Sequence, residues 1–100
     1  MFDFNVKEEN GVIDVKLKGR LDATVAPQLH AKMSDFKDKD IKKVTFDCGE
    51  LEYIASAGLR VIIFSKQKLG VDTEIFMKDV NEDVQSVIEM TGCDNFVTII

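Results

Sequence analysis

The sequence predicts an α/β fold: a mixed β-sheet with helices packed on it, in the order β-β-α-β-α-β-α-β. Near the start of the chain, apolar and polar residues alternate on both sides of Asn10-Gly11, a pair typical of a tight hairpin turn. After Gly19, segments with the helical spacing of apolar residues alternate with short apolar segments. Because strand-helix-strand connections join parallel strands through a right-handed crossover, we expect the strands after the hairpin to be largely parallel.

Length and composition indicate a single domain over residues 1–100. Of the 100 residues, 45% are hydrophobic, which is enough for one core, and no internal repeat or long linker divides the chain. The net charge of −5 disfavours nucleic acid as a partner, because phosphate binding usually needs a clustered basic surface. No apolar run approaches the roughly 20 residues of a membrane span, and no signal peptide is recognisable. We therefore expect a cytoplasmic protein without a membrane span.

The first predicted elements are two antiparallel strands and a helix. The strands have six inward apolar positions: Phe2, Phe4, Val6, Ile13, Val15 and Leu17. Residues 25–36 are predicted to form the first helix, with Thr24 as its N-cap and Pro27 in its first turn.

The remaining elements follow the same alternation of strand and helix. A short buried strand is predicted over residues 44–46, and a second helix over residues 57–69 with Ser56 as its N-cap. A strand at residues 74–77 leads to a third helix between Asn81, its predicted N-cap, and Gly92. Residues 96–100 are predicted to form the last strand.

Catalytic patterns are missing from the sequence. His30 is the only histidine, and no recognisable motif pairs it with a cysteine or serine as nucleophile and base. Cys48 and Cys93 lie too far apart for a CxxC motif and are interpreted as reduced, packed thiols. No glycine-rich phosphate-binding motif is present. The sequence has three carboxylates close together, at Asp47, Glu50 and Glu52. They could serve acid–base chemistry or bind a cation, but a solvated loop is the simpler interpretation. The sequence therefore predicts no enzyme, metal site or cofactor.

The segment around Ser56 is the strongest functional signal. It places one serine where a strand and loop give way to an amphipathic helix. A serine at a helix start can accept a hydrogen bond from a backbone N–H, and the helix dipole favours a negative charge there. Ser56 is therefore either a structural cap or a residue well placed to carry a phosphate.

Three segments together resemble the STAS domain, and more narrowly the stand-alone bacterial anti-sigma factor antagonists. They are Gly19-Arg20-Leu21-Asp22, residues 44–47, and Ala55-Ser56-Ala57-Gly58-Leu59-Arg60. The resemblance extends over essentially the whole chain in order and spacing.

The resemblance implies a regulatory switch. In this family the unphosphorylated antagonist binds an anti-sigma factor that is also a serine kinase, which releases a sigma factor for transcription. The kinase phosphorylates a serine at the start of the second helix, and a serine phosphatase removes the phosphate. Ser56 falls on the phosphoacceptor position, and Asp22 on an acidic residue of the adjoining loop. The implied partner-binding residues are Asp22, Ala23, Thr24, Ala55, Ala57, Gly58 and Arg60.

Other interpretations of the same residues stay open. Asp22 could simply end its strand through an Asx-turn. The chain could also be a non-phosphorylated STAS scaffold or a subunit of a transport complex, in which Ser56 is only a cap. Relatives often have an acidic residue or serine at the position of Ala55, and some have a second serine at Ala57. Modification is therefore expected at one hydroxyl, with a changed surface and an unchanged fold.

Overall fold

The computed structural model describes residues 2–36, 39–70 and 73–100, with the backbone alone at residues 66–68. In these ranges the elements follow the predicted order, and the mixed sheet is confirmed. The elements are β1 (Phe2–Glu9), β2 (Val12–Leu21), α1 (Ala26–Ser34), β3 (Lys43–Ile54), α2 (Ser56–Leu69), β4 (Glu74–Lys78), α3 (Glu82–Met90) and β5 (Thr98–Ile99). A short 3₁₀ helix, Cys93–Asn95, precedes β5.

The hairpin forms at the predicted turn. Asn10 and Gly11 have φ values of 53° and 82°, the left-handed conformation that a two-residue hairpin turn of type I′ requires. This turn pairs β1 with β2 in an antiparallel register that runs from Glu9 opposite Val12 to Phe2 opposite Gly19.

The strands after the hairpin are parallel, as predicted, and lie in the order in which they occur in the chain. Successive right-handed crossovers in one direction place their helices on the same face of a sheet. The covered face is apolar, whereas alternate residues of β2 on the other face are exposed. Strands and helices share one core, which includes Val15, Leu17, Val44, Phe46, Ile75, Met77, Leu29, Leu59, Ile62, Val84 and Ile88.

The third strand is longer than its apolar centre predicts. It runs to Ile54, so Asp47, Glu50 and Glu52 belong to a strand, and the prediction of a solvated loop was wrong. The register of β3 against β2 is irregular twice, between the pairs of Lys16 and Lys18 and between those of Gly19 and Arg20. Such bulges break the alternation of apolar and polar residues by which a strand is recognised.

Two predicted helix caps were also wrong. Helix α1 covers fewer residues than predicted, and Val25 occupies its N-cap position without a side-chain hydrogen bond, so Thr24 is not the cap. Ser56 is the first residue of α2 and therefore follows the N-cap position. The cap of α3 is confirmed, because the Asn81 side chain accepts a hydrogen bond from the Val84 N–H at 2.8 Å.

The ends of the remaining elements add three smaller findings. Gly92 ends the α3 region in a left-handed conformation, with φ of 75°, as expected. The last strand is confined to Thr98–Ile99, because Phe96 closes the preceding 3₁₀ helix. Within the described residues, none of the helices has both the length and the apolar composition needed to cross a bilayer.

Candidate functional site

The candidate site lies where β2 and β3 end side by side. Leu21 is paired with Ile54, and the Ala55 N–H donates to the Leu21 carbonyl oxygen at 2.8 Å. The loop that follows β2 and the start of α2 are therefore neighbours, although more than 30 residues separate them in the chain. The structure thus brings together the two segments to which the sequence assigns Asp22 and Ser56.

Asp22 organises the loop after β2. Its carboxylate accepts hydrogen bonds from the backbone N–H groups of Thr24, at 3.0 Å, and Val25, at 3.3 Å. Its carbonyl oxygen accepts from the Ala26 N–H at 3.0 Å. This is an Asx-turn that leads into α1. The half-buried Asp22 therefore shapes the loop, and Ala23 and Thr24 are exposed on it.

Ser56 is exposed at the first position of α2. Its hydroxyl makes no hydrogen bond with any described residue, and the first turn of α2 contains no acidic side chain. The first backbone N–H groups of a helix have no partner within it, and they form the positive end of the helix dipole. A negatively charged group on Ser56 would therefore enter a favourable electrostatic environment.

Gly58 holds the start of α2 close to the end of β2. It is buried, and a Cβ atom at this position would lie 2.6 Å from Leu21 Cγ and 2.9 Å from the Leu21 carbonyl oxygen. Only glycine fits this approach without displacing backbone. Of the neighbouring site residues, Ala55 and Ala57 are half-buried and Arg60 is exposed. Arg60 follows Ser56 by four residues and therefore lies on the same side of the helix.

One pair beside the site was missed by the sequence analysis. The Arg20 guanidinium lies 4.3 Å from the centre of the Tyr53 ring, a cation–π contact at the surface. These residues are paired across β2 and β3 next to Leu21 and Ile54. The pair was missed because Tyr53 lies in the part of β3 that was not predicted as strand. Tyr53 is the only tyrosine in the chain, and that was the one available signal.

His30 packs against α2. Its ring lies 4.8 Å from that of Phe64, and together with Arg60 and Val61 these residues line a shallow groove between α1 and α2. The groove continues toward Cys93 and adjoins the helix that begins at Ser56.

Asp47 and Glu50 of β3 have partners outside this site. The Asp47 carboxylate accepts a hydrogen bond from the Gly49 N–H at 3.0 Å. Glu50 Oε2 lies 3.0 Å from Lys16 Nζ on the open face of the sheet. That hydrogen bond lowers the pKa of Glu50 and raises the pKa of Lys16. Among the described side chains, no group of three or more potential ligands is arranged to hold a metal ion.

Neither cysteine forms a disulfide, in agreement with the sequence analysis. Burial raises the pKa of the Cys48 thiol to about 12, and the negative charges of Asp47 and Asp79 add to this effect. A thiol with so high a pKa is a poor nucleophile, because the thiolate is the reactive form.

Comparison with known proteins decides the family. The model of the STAS domain matches residues 3–100. The chain belongs to the STAS domain family. BtrV of Bordetella bronchiseptica, a candidate anti-sigma factor antagonist, is 34% identical over 84 residues, which are 83% of this chain and 72% of BtrV. The resemblance inferred from the three motifs is therefore confirmed.

Solved structures share the same STAS fold. An anti-sigma factor antagonist from Mycobacterium paratuberculosis has a TM-score of 0.85 at 22% identity, over 99% of this chain and 85% of that one. The Bacillus cell fate determinant SpoIIAA, solved in its phosphorylated form, has a TM-score of 0.76 at 16% identity, over 98% of this chain and 91% of that one. At 22% and 16% sequence identity, the similarity to these two structures shows a shared fold only.

Proposed function

We propose that this STAS domain is an anti-sigma factor antagonist that Ser56 phosphorylation switches off. With Ser56 unmodified, the domain binds an anti-sigma factor that is also a serine kinase, and a sigma factor is released. The kinase phosphorylates Ser56 and so ends its own binding, and a serine phosphatase restores the active form. The protein supplies a binding surface and contributes no catalytic group.

One observation carries this proposal: an exposed serine hydroxyl stands at the positive end of α2, where the first turn has no acidic side chain, beside the Asp22 loop. Two findings add support. The chain is related to BtrV across most of its length, and the similar fold of SpoIIAA has been solved in a phosphorylated form. The proposed contact surface combines the loop and the first turn of α2: Asp22, Ala23, Thr24, Ala55, Ala57, Gly58 and Arg60.

The proposed switch is electrostatic. A phosphate on Ser56 adds roughly −1.5 to −2 charges to this surface at neutral pH. Helix N–H groups and the Arg60 guanidinium, one helical turn away, can stabilise the phosphate on the free domain. In a complex, the same phosphate would be desolvated next to Asp22 and would repel an acidic partner surface. Release of the partner therefore requires no change of fold.

Mass spectrometry tests the phosphorylation step. The protein is incubated with ATP, Mg²⁺ and the candidate serine kinase from its own genome, and intact mass is followed by peptide mapping. We expect one added phosphate, on Ser56, and none in Ser56→Ala. Ser86, an exposed serine on α3, provides the matched control, because Ser86→Ala should be phosphorylated like the native chain. Phosphate on another residue, or none while the kinase still binds, would contradict the proposed switch and favour a permanent scaffold.

Partner affinity tests the consequence of modification. We expect Ser56→Asp to weaken binding to the kinase at least tenfold in calorimetric titration, whereas Ser56→Ala and Ser86→Asp retain native affinity. If the phosphorylated protein, prepared with the kinase, bound as tightly as the unmodified one, the electrostatic mechanism would be wrong.

A further inference from the structure

The outer side of the edge strand β1 presents backbone groups that pair with no other described strand. It forms one edge of the sheet and, among the described strands, pairs only with β2. In a hairpin with a two-residue turn, the pair that flanks the turn, here Glu9 and Val12, exchanges hydrogen bonds, as does every second pair. The N–H and C=O groups of the even-numbered residues of β1 therefore point outward. In agreement, the Phe4 N–H donates to the neighbouring Asp3 carboxylate, at 2.9 Å.

The charges on the open face of this edge alternate from strand to strand. Asp3 lies opposite Lys18 of β2, and Lys7 lies opposite Asp14. Lys18 Nζ in turn lies 3.8 Å from Glu50 Oε1 of β3. One row of side chains across the sheet is therefore negative at Glu50, positive at Lys18 and negative at Asp3. The row four residues further along β1 is negative at Asp14 and positive at Lys7. A strand that continued these rows would need a positive charge opposite Asp3 and a negative charge opposite Lys7.

We propose that the occupant of this edge is a second copy of the chain, with the two β1 strands antiparallel about a two-fold axis at Asn5. In this register Asp3 lies opposite Lys7 of the second copy, and Lys7 lies opposite its Asp3. Phe4 lies opposite Val6 of the second copy as a hydrogen-bonded pair, in keeping with the outward direction of the even-numbered backbone groups. The interface is thus self-complementary, as a two-fold axis demands.

Charge selects this register over its neighbours. Pairing requires even-numbered residues to lie opposite even-numbered residues, so the alternatives are displaced by two positions. One alternative places Asp3 opposite Asn5, which removes both ion pairs. The other places Asp3 opposite Glu9, which brings like charges together. Of these three registers, only the one centred on Asn5 aligns two pairs of opposite charge.

The covered face of β1 favours the same arrangement. Phe2 and Phe4 stack with ring centroids 5.7 Å apart, and both are only half-buried, as is Val6. A second β1 strand would extend this apolar face, and the two sheets would become one. Because the two β2 strands would run in opposite directions, the two Ser56 surfaces would lie at opposite ends of the joined sheet. Self-association is therefore independent of the proposed function and leaves its surface accessible.

Charge reversal tests this interface with the complete chain. Sedimentation equilibrium over a wide concentration range should show reversible dimerisation of the native protein, stronger at low ionic strength. Asp3→Lys and Lys7→Asp should each weaken dimerisation at least tenfold, because each places like charges opposite one another twice. Lys42→Asp, at an exposed position outside β1, is the matched control and should dimerise as the native chain does.

A mixture of the two variants provides the decisive measurement. Asp3→Lys and Lys7→Asp, each monomeric alone, should form a heterodimer when mixed. The introduced lysine of one variant then faces the introduced aspartate of the other, and the native Lys7 of the first faces the native Asp3 of the second. Circular dichroism of each variant confirms the fold before mixing. A native protein that stays monomeric at every concentration, or a mixture that does not associate, would overturn the proposal.

Discussion

The crossover helices α2 and α3 begin in opposite ways. At α3, the Asn81 side chain caps the helix, and Glu82 and Asp83 put negative charge in the first turn. Asn81 also donates to the Leu51 carbonyl oxygen at 3.0 Å, which ties the cap to β3. At α2, Ser56 forms no capping hydrogen bond with a described residue, and the first turn has no acidic side chain.

The two helix starts are therefore stabilised by different means. The start of α3 is stabilised by hydrogen bonds and carries its own compensating charge. The start of α2 is positioned by packing, since Gly58 contacts Leu21 and Ala55 bonds to the end of β2. Its polar groups therefore remain available for an added anion, as the proposed phosphorylation of Ser56 requires.

Gly58→Val should have the largest effect, because it removes the packing that positions α2. Its Cβ would overlap both the side chain and the backbone of Leu21. We expect unfolding in urea to show a loss of about 3 kcal/mol, the upper part of the range for overpacked cores. Gly49→Ala is the control, because its nearest neighbours are movable side-chain atoms, and it should lose much less. Equal losses would show that the start of α2 does not depend on close packing.

The pH dependence of stability should reveal the burial of the Cys48 thiol in β3. Cys48 has a pKa raised from 9.0 to about 12, through burial and the charges of Asp47 and Asp79. A raised pKa means that the unfolded chain loses the thiol proton first, so the contribution of Cys48 to stability is complete below pH 9 and declines above it. We expect this group to lower the unfolding free energy by about 1.4 kcal/mol per pH unit between about pH 9 and 11.

Cys48→Ala isolates that contribution from the titration of lysines and tyrosine. The variant should be less stable at neutral pH because of the cavity, but its stability should fall less steeply between about pH 9 and 11. Parallel slopes for the two proteins would rule out a strongly raised thiol pKa.

Replacing Asn81 and Ser56 by alanine compares the two helix starts directly. Asn81→Ala should cost about 1–2 kcal/mol, because it removes a cap and the hydrogen bond to Leu51. Ser56→Ala should change stability by less than about 0.5 kcal/mol, since its hydroxyl is exposed and does not cap. Chemical denaturation of both variants measures the difference, and a large loss in Ser56→Ala would identify Ser56 as a structural cap.

The smallest effect concerns added charge. Ser56→Asp should raise the stability of the free domain by about 0.3–1 kcal/mol at low salt, because α2 has no other negative charge in its first turn. Gln85→Glu should gain nothing comparable, since it adds a charge beside the acidic first turn of α3. Thermal unfolding at low and high salt tests both variants. A gain at Ser56 that did not diminish with salt would contradict an electrostatic origin.

Much of the site could be predicted because its signals are local. The helix α2 follows from apolar spacing, and the turn at Asn10-Gly11 follows from the need for positive φ at two positions. The cap at Asn81 follows from the preference of helix starts for asparagine. The wrong cap at Thr24 shows the limit: the Ala26 N–H donates to the Asp22 carbonyl oxygen and Pro27 has no N–H, so Thr24 has no helix N–H left to cap.

The sequence by itself determined the order of elements, the core faces and the position of one serine at a helix start, because these depend on periodicities and turn preferences within short segments. Only the tertiary structure decided that β3 continues to Ile54 and that Ile54 pairs with Leu21 beside the site. It also decided that Gly58 must be glycine. These features depend on how residues more than 30 positions apart are aligned, since the parallel register of β2 and β3 sets which backbone atoms meet.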